Sequence, residues 1–212
     1  MTFAAHPLTP DRWDDLATVF GASPSHPDGR GECGRCWCMW WRLPRGGFTD
    51  GRANRPLFRA RVEAGPPPGL LGYEGATPVG WLQVGPRADV PEWNRPGRLT
   101  APPDPADATD PAALETTWGV TCFVTRTGHR RKGVASRLLD AAIAHARGSG
   151  ARALDACPVE LPRDPSVGPL PDARRKPAAA LYHGVASVFA ARGFVEVARR
   201  RPDRPLVRLT LA

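Results

Sequence analysis

The feature that most constrains the fold is a strand, a basic turn and a helix that follow one another between residues 118 and 148. Side chains alternate over residues 118–124 with the period of two that is typical of a β-strand. This alternation predicts one shared face for Trp118, Val120, Cys122 and Val124. Apolar residues then recur at helical spacing over residues 133–148. Since residues 151–157 predict another strand, the unit indicates two parallel strands joined by a helix, and hence an α/β fold.

The turn between the predicted strand and helix is strongly basic. It carries Arg130, Arg131 and Lys132 directly before Gly133. The first amides of a helix lack internal partners, and the helix dipole places partial positive charge at that end. Gly133 allows an anion to approach the backbone where a Cβ would block it. A basic turn before a helix is common without a ligand, but this combination predicts a phosphate or pyrophosphate site.

The spacing of this turn, Arg130-x-x-Gly133-x-Ala135, resembles the coenzyme A signature of the GCN5-related N-acetyltransferase (GNAT) family. Residues 188–194 resemble the family's second signature, a helix end followed by Gly193 and Phe194. The resemblance is clear over the second half of the chain and rests on element order alone over the first half. It implies an acyl-coenzyme A-dependent N-acyltransferase, with acetyl-CoA or another acyl-CoA as co-substrate.

The remaining elements predict a single domain over residues 1–212. Amphipathic patterns predict helices near residues 10–21, 54–64 and 178–192, with hairpins over residues 70–84 and 194–211. The resulting order is β-α-α-β-β-β-α-β-α-β-β. As the resemblance implies, we expect a mixed, twisted sheet of about seven strands with helices on both faces. Pro-rich loops are predicted over residues 86–113 and 158–177, and we expect the first to be mobile over the active-site mouth.

Composition narrows the class of protein. The hydrophobic fraction of 42% and charged fraction of 24% are typical of a soluble globular domain. No apolar run or signal-peptide pattern indicates a membrane or secreted protein, so we expect a cytoplasmic one. The net charge of +8 favours an anionic partner such as coenzyme A. Nucleic acid is disfavoured because the arginines are scattered and no aromatic-interleaved basic stripe occurs. A homodimer stays possible.

Residues 22–50 form a Trp- and Cys-rich segment with three competing interpretations. Cys33, Cys36 and Cys38 could bind zinc, but no second cysteine pair completes a tetrahedral set, so we expect no metal. The tryptophans could instead fill the core, with the thiols as small buried hydrophobes. The resemblance implies a third role, a wall of the acceptor pocket, which we favour by a small margin. The predicted substrate-binding residues are Trp37, Trp40, Trp41 and Trp118.

The resemblance also implies which residues hold the co-substrate. Backbone groups at the end of the strand before the turn, on Cys122, Phe123 and Val124, would pair with the pantetheine arm. The pyrophosphate would rest on the turn and the first helical turn. The residues assigned to it are Arg130, Arg131, Lys132, Gly133, Val134, Ala135 and Ser136.

The proton-transfer residues depart from the family's pattern. Many members have a glutamate where this chain has Trp118, and a tyrosine where it has Phe189. Tyr182 is predicted two turns before Phe189 on the same helix, and is the first candidate for a polar role near the thioester. Asp155 and Glu160 are candidate bases acting through water, with His183 as an alternative. The resemblance implies direct attack of a primary amine in a ternary complex, and pocket walls built from loops and tryptophans favour a small-molecule acceptor. The alternative is a non-catalytic acyl-CoA sensor.

Overall fold

The computed structural model describes residues 2–44, 47–48, 51–161 and 181–211, without the side chains of residues 31–33 and 51. Seven strands of this part of the chain form one sheet in the order β1-β2-β3-β4-β5-β7-β6. Strands β4 and β5 are parallel, and the other neighbours are antiparallel. The strands are β1 Phe3–Pro7, β2 Gly69–Glu74, β3 Thr77–Pro86, β4 Thr117–Thr125, β5 Ala153–Ala156, β6 Val195–Arg201 and β7 Arg204–Thr210. The predicted α/β class and mixed seven-stranded sheet are confirmed.

The helices of the described residues are mostly short. They are α1 Trp13–Val19, α2 Gly31–Cys36, α3 Gly51–Ala64, α4 Pro91–Asn94, α5 Pro111–Thr116, α6 Val134–Gly148 and α7 Ala186–Ala190. Single 3-10 turns lie at Pro10–Arg12, Arg87–Asp89 and Pro105–Ala108. No helix of this part of the chain combines the length and apolarity needed to cross a membrane.

The two faces of the sheet carry different cores. Helix α6 packs against one face with a mainly aliphatic core that includes Leu138, Leu82 and Leu154. Helices α1 and α3 cover the opposite face, where the core includes Trp37 and Trp81. Because side chains alternate along a strand, Cys157, beside Ala156, joins a third cluster on this opposite face with Trp41, Val90 and Trp93. We call this second side of the sheet the aromatic face.

A bulge in β4 changes which face its side chains occupy. The register between β3 and β4 shifts after Gln83–Cys122, so that Thr121 has no partner opposite it. Val120 and Phe123 therefore both face α6, whereas Cys122 and Val124 face the aromatic side. The uniform alternation predicted for residues 118–124 is wrong, because the extra residue reverses it at the middle of the strand.

Strands β4 and β5 separate soon after they pair. Their ladder covers Thr117–Val120 and Ala153–Ala156, and then residues 181–186 enter between the strands. The Phe123 amide donates to the Tyr182 carbonyl at 2.5 Å, and Val159 exchanges backbone hydrogen bonds with Gly184 and Ala186. The helix predicted over residues 178–192 is wrong over residues 181–185. Gly184, at φ +81°, is left-handed and interrupts it, and a Cβ there would lie 2.8 Å from the Phe189 ring.

The Pro-rich segment 86–113 is fastened to the sheet. Its Arg87 side chain is fully buried and donates to Asn94 Oδ1 at 2.8 Å and to the Asp107 carbonyl at 2.7 Å. Arg200 of β6 donates to the carbonyls of Ala101 and Pro102. The segment is therefore folded against the aromatic face, contrary to the expectation of a mobile loop. Most of the other Pro-rich loop, 158–177, lies outside the described residues.

Candidate active site

The basic turn opens onto the N-terminus of α6. Gly133 is the residue before the helix, at φ +75°, and no side chain caps the helix amides. A Cβ at Gly133 would contact no protein atom, so the glycine is required by its left-handed backbone rather than by space. Arg130 and Lys132 are exposed beside these amides. Uncapped amides, a helix dipole and exposed cations are together suited to an anion.

A carboxylate on β2 holds this turn in place. Glu74 Oε2 lies 3.0 Å from His129 Nδ1, and Glu74 Oε1 accepts from Arg137 at 2.9 Å. Arg137 also donates to the Lys132 carbonyl at 3.1 Å. These hydrogen bonds, first from Arg137 and then from His129, hold the pKa of Glu74 below its usual range. Sequence analysis missed Glu74, because nothing in its local pattern indicates a partner 55 residues away.

The strand end predicted to hold a pantetheine already has one protein partner. The Phe123 amide is bonded to the Tyr182 carbonyl, as described above. The Phe123 ring lies edge-on to Phe189, with centroids 5.9 Å apart. Phe189 is fully buried, so the position at which the resemblance implies a tyrosine belongs to the core of the α6 face.

The three predicted catalytic residues make different contacts. Asp155 is fully buried; Arg208 donates to its two oxygens at 2.7 and 2.9 Å, and Arg87 lies 3.4 Å away. Both oxygens of Asp155 are engaged by guanidinium groups and the side chain is buried, which weakens the case for Asp155 as a base. The side-chain hydrogen bond to Asp155 is the main cause that raises the pKa of Arg208.

Glu160 follows Val159, which pairs with the residues that enter between the strands. It pairs with Arg199 at 2.6 Å on the surface, at the rim of a cleft of about 380 Å³ between α7 and the β6–β7 hairpin. Its carboxylate therefore also has a guanidinium partner, which weakens the case for Glu160 as a base.

Tyr182 and His183 lie at the point where β4 and β5 separate. Their rings meet edge-on with centroids 4.3 Å apart. Tyr182 precedes α7 instead of lying on it, so the predicted placement two turns before Phe189 on one helix is wrong. His183 is buried, and burial, followed by the charge of Arg204, lowers its pKa to about 3. Its imidazole is therefore neutral at physiological pH.

The tryptophans assigned to the acceptor wall occupy separate places. Trp37 is fully buried and stacks on Trp13 at 5.2 Å, which matches the core-filling interpretation. Trp40 is 39% exposed. Trp41 is buried 5.1 Å from Trp93 and 5.6 Å from His183. Trp41 alone of this run therefore reaches the neighbourhood of the parted strands.

Trp118 does not share a surface with Trp41. It packs with the core of the α6 face, edge-on to His145 at 5.7 Å. Its predicted place in the same wall as Trp41 is wrong, because β4 before its bulge directs Trp118 toward α6. Burial lowers the pKa of His145.

The cysteine segment makes contacts of a packed core. Trp81 Nε1 donates to Cys38 Sγ at 3.1 Å, and burial, together with the neighbouring Cys38, raises the pKa of Cys36 to about 12. Such thiols are inert as nucleophiles. The side chain of Cys33 lies outside the described residues. Among the residues described, no group of three or more His, Cys, Asp or Glu side chains is placed to hold a metal ion.

Comparisons with known proteins agree with this architecture. The model of the acetyltransferase (GNAT) family matches residues 36–168. An N-acetyltransferase from Staphylococcus aureus Mu50 is 13% identical, with 100% of both chains covered and a TM-score of 0.52. The yncA protein of Salmonella typhimurium, solved with its cofactor acetyl-CoA, is 13% identical over 100% of this chain and 95% of its own, with a TM-score of 0.51. A ribosomal-protein-alanine N-acetyltransferase from Brucella melitensis is 14% identical, covering 98% and 99% at a TM-score of 0.50. At these identities the likeness concerns the fold alone, and no curated protein matches the chain.

Proposed function

Since the chain belongs to the acetyltransferase (GNAT) family, we propose that it transfers an acetyl group from acetyl-CoA to the primary amine of a small molecule. The observation that carries the proposal is the uncapped N-terminus of α6 behind Gly133, beside two parallel strands that separate. A diphosphate suits the first feature, and an extended amide-bearing arm suits the second.

Residues of the turn would bind the diphosphate by charge and by backbone. Arg130 and Lys132 are exposed beside the first amides of α6, and Glu74 keeps the turn in position through Arg137 and His129. Backbone groups of Cys122, Phe123 and Val124 would pair with the arm, with the Phe123 amide exchanging the Tyr182 carbonyl for it. Both roles depend on backbone geometry more than on side-chain identity.

Transfer in a ternary complex moves the acyl group from sulfur to nitrogen, while the ammonium loses a proton and the thiolate gains one. Tyr182 is the catalytic candidate that best fits the parted strands, as a proton donor to the leaving thiolate. The described carboxylates closest to this role, Asp155 and Glu160, are each held by arginine. Water leading from the amine to solvent would then remove its proton without a dedicated base.

Calorimetry with acetyl-CoA tests the proposal through Gly133→Glu. Glutamate adds a negative charge and a Cβ at a left-handed residue in front of the helix amides, and we expect binding to fall at least tenfold. Gly150→Glu is the matched control, because Gly150 is exposed and left-handed at φ +80° beyond the other end of α6. Equal affinity of the Gly133→Glu variant and the wild type would overturn the proposal.

A second function, binding of acyl-CoA without transfer, is favoured by one observation: Phe189 is buried and has no proton to give, at the position where the resemblance implies a tyrosine. Release of free coenzyme A over a panel of amines separates the two functions. Turnover with an amine supports the transferase, whereas tight binding of acetyl-CoA without turnover of any amine supports the sensor.

A further inference from the structure

The aromatic face contains a group of buried polar atoms that have no partner among the described residues. They are Trp41 Nε1, Trp93 Nε1, Thr121 Oγ1, His183 Nε2 and both terminal atoms of Gln83. Each of these residues is at most 7% exposed. Buried polar groups are nearly always hydrogen-bonded in folded proteins, so several unpartnered ones in one region are available to a polar ligand or to bound water.

Three of these residues pack against one another. Trp41 lies 5.1 Å from Trp93 and 5.6 Å from His183 by ring centroids. His183 follows Tyr182, whose carbonyl meets Phe123 where β4 leaves β5. Thr121 is the bulged residue of β4 just before that point.

Two further contacts connect Thr121 to the same place. Gln83 pairs with Cys122 beside Thr121. A Cβ on Gly119 would touch both Thr121 and Val90, and Val90 packs in the cluster that holds Trp41 and Trp93. The unpartnered atoms therefore border the end of β4 on which the proposed thioester would lie.

These atoms differ in whether they donate or accept hydrogen bonds. An indole N–H can only donate, so Trp41 and Trp93 each need an acceptor. Buried and unpartnered N–H groups of Arg42, which follows Trp41, and of Arg98, five residues after Trp93, add two more donors. Oxygens that can accept are present on Gln83 and Thr121, near the parted strands. One end of the group thus needs an acceptor-rich ligand, and the other can accept from an amine.

The charges around this face favour an anion over a cation. The carboxylates of Asp89, Glu92 and Asp155 are each ion-paired with two arginines. The six partners are Arg42, Arg61, Arg95, Arg98, Arg87 and Arg208. Three carboxylates facing six guanidinium groups leave none of the three to bind a polyamine's second ammonium, whereas a carboxylate would meet a positive environment.

We propose that the acceptor is a small amine carrying its own carboxylate, an amino acid or a close analogue. Its carboxylate is received by the indole N–H groups of Trp41 and Trp93, and its amine lies toward Thr121 and Gln83 beside the parted strands. The inference rests on the proposed function, and it makes the aromatic face the part of the molecule that selects the acceptor.

Matched pairs of compounds that differ only in the carboxylate test the proposal: L-phenylalanine against phenethylamine, L-leucine against isopentylamine, and L-lysine against cadaverine. With acetyl-CoA present, release of coenzyme A gives kcat/KM for each. We expect at least a tenfold preference for one or more of the amino acids over its decarboxylated partner. Trp41→Phe and Trp93→Phe keep a ring but remove the N–H, and should reduce that preference.

Trp13→Phe is the control variant, because Trp13 also has a buried, unpartnered indole nitrogen but packs against Trp37 in the core beside α1. It should leave the preference unchanged. Saturation-transfer NMR on the same compound pairs reports binding without turnover, so the acceptor class is decided even if no amine is acetylated. Equal or better use or binding of the decarboxylated amines in all three pairs would overturn the proposal. Absence of turnover with retained amino-acid binding would instead count against the transferase function alone.

Discussion

The turn before α6 and the aromatic face are built in opposite ways. The turn is a short contiguous stretch with exposed cations and uncapped amides at a left-handed glycine. The aromatic face gathers Trp41, Gln83, Thr121 and His183 from four separate segments and buries them. A site made from backbone keeps its function through many side-chain changes, whereas a site made from buried side chains changes its ligand when one of them changes. The first can therefore be common to many proteins and the second particular to this one.

The largest expected effect that tests this contrast is a change in the free energy of unfolding. Arg87→Met removes a buried guanidinium that bridges Asp155, Asn94 and the Asp107 carbonyl. We expect the free energy of unfolding in urea to fall by about 3–5 kcal/mol, since one partner of a buried ionic network is lost. Arg199→Met removes a surface pair with Glu160 and should not change stability measurably. Equal effects of the two variants would contradict the contrast between a buried face and an exposed surface.

A smaller effect follows from the buried histidine of the aromatic face. His183 has its pKa lowered from 6.5 to about 3, chiefly by burial and then by Arg204. Below pH 6.5 the unfolded chain takes up a proton that the folded chain refuses, so stability is fully present above that pH and declines as the pH falls toward 3. Between about pH 7.5 and about pH 5, the free energy of unfolding should fall by about 2 kcal/mol because of this group.

His183→Gln should lose this pH-dependent part of the stability, as measured by urea unfolding at a series of pH values. Above pH 7 the wild type and the variant should run parallel, which provides the internal control. A variant whose stability declines as steeply with acid as the wild type would show that His183 is not the buried neutral group described here.

The smallest effect concerns the exposed cations of the turn. Arg130→Met should weaken binding of coenzyme A by about two- to fivefold, because an exposed charge contributes little in water. The loss should be larger at low ionic strength and shrink at high ionic strength. Calorimetry at two salt concentrations measures it, with Arg147→Met, exposed near the far end of α6, as the control. Similar losses for both variants would assign the effect to net charge and not to the turn.

Much of the fold follows from local pattern. Helix α6 buries the residues that its spacing predicts, and Val207, Leu209 and Leu211 of the terminal hairpin pack in the same core. The β4 bulge had no such signal. One residue without a partner opposite it reverses the alternation after Val120, and this depends on the pairing with β3.

The candidate site was predictable only where it is local. The turn could be recognised because its residues are contiguous, whereas the roles of Asp155 and Trp118 depend on neighbours far along the chain. The sequence around Asp155 does not show that Arg87 and Arg208 pair with its carboxylate in the folded chain. Tyr182 was assigned to a helix because its surroundings are apolar at helical spacing, and the conformation of Gly184 prevents that.

The hydrogen bond between the Phe123 amide and the Tyr182 carbonyl occupies a backbone group that an extended ligand would use. Any extended molecule that joins the end of β4 exchanges one amide–carbonyl bond for another of the same kind, so that contact adds little net energy. The binding energy must then come from other contacts, and the basic turn before α6 can supply them. A ligand that replaces this bond must displace residues 181–185, so its binding should be slower than diffusion. A change that loosens this short segment should therefore speed binding without contacting the ligand.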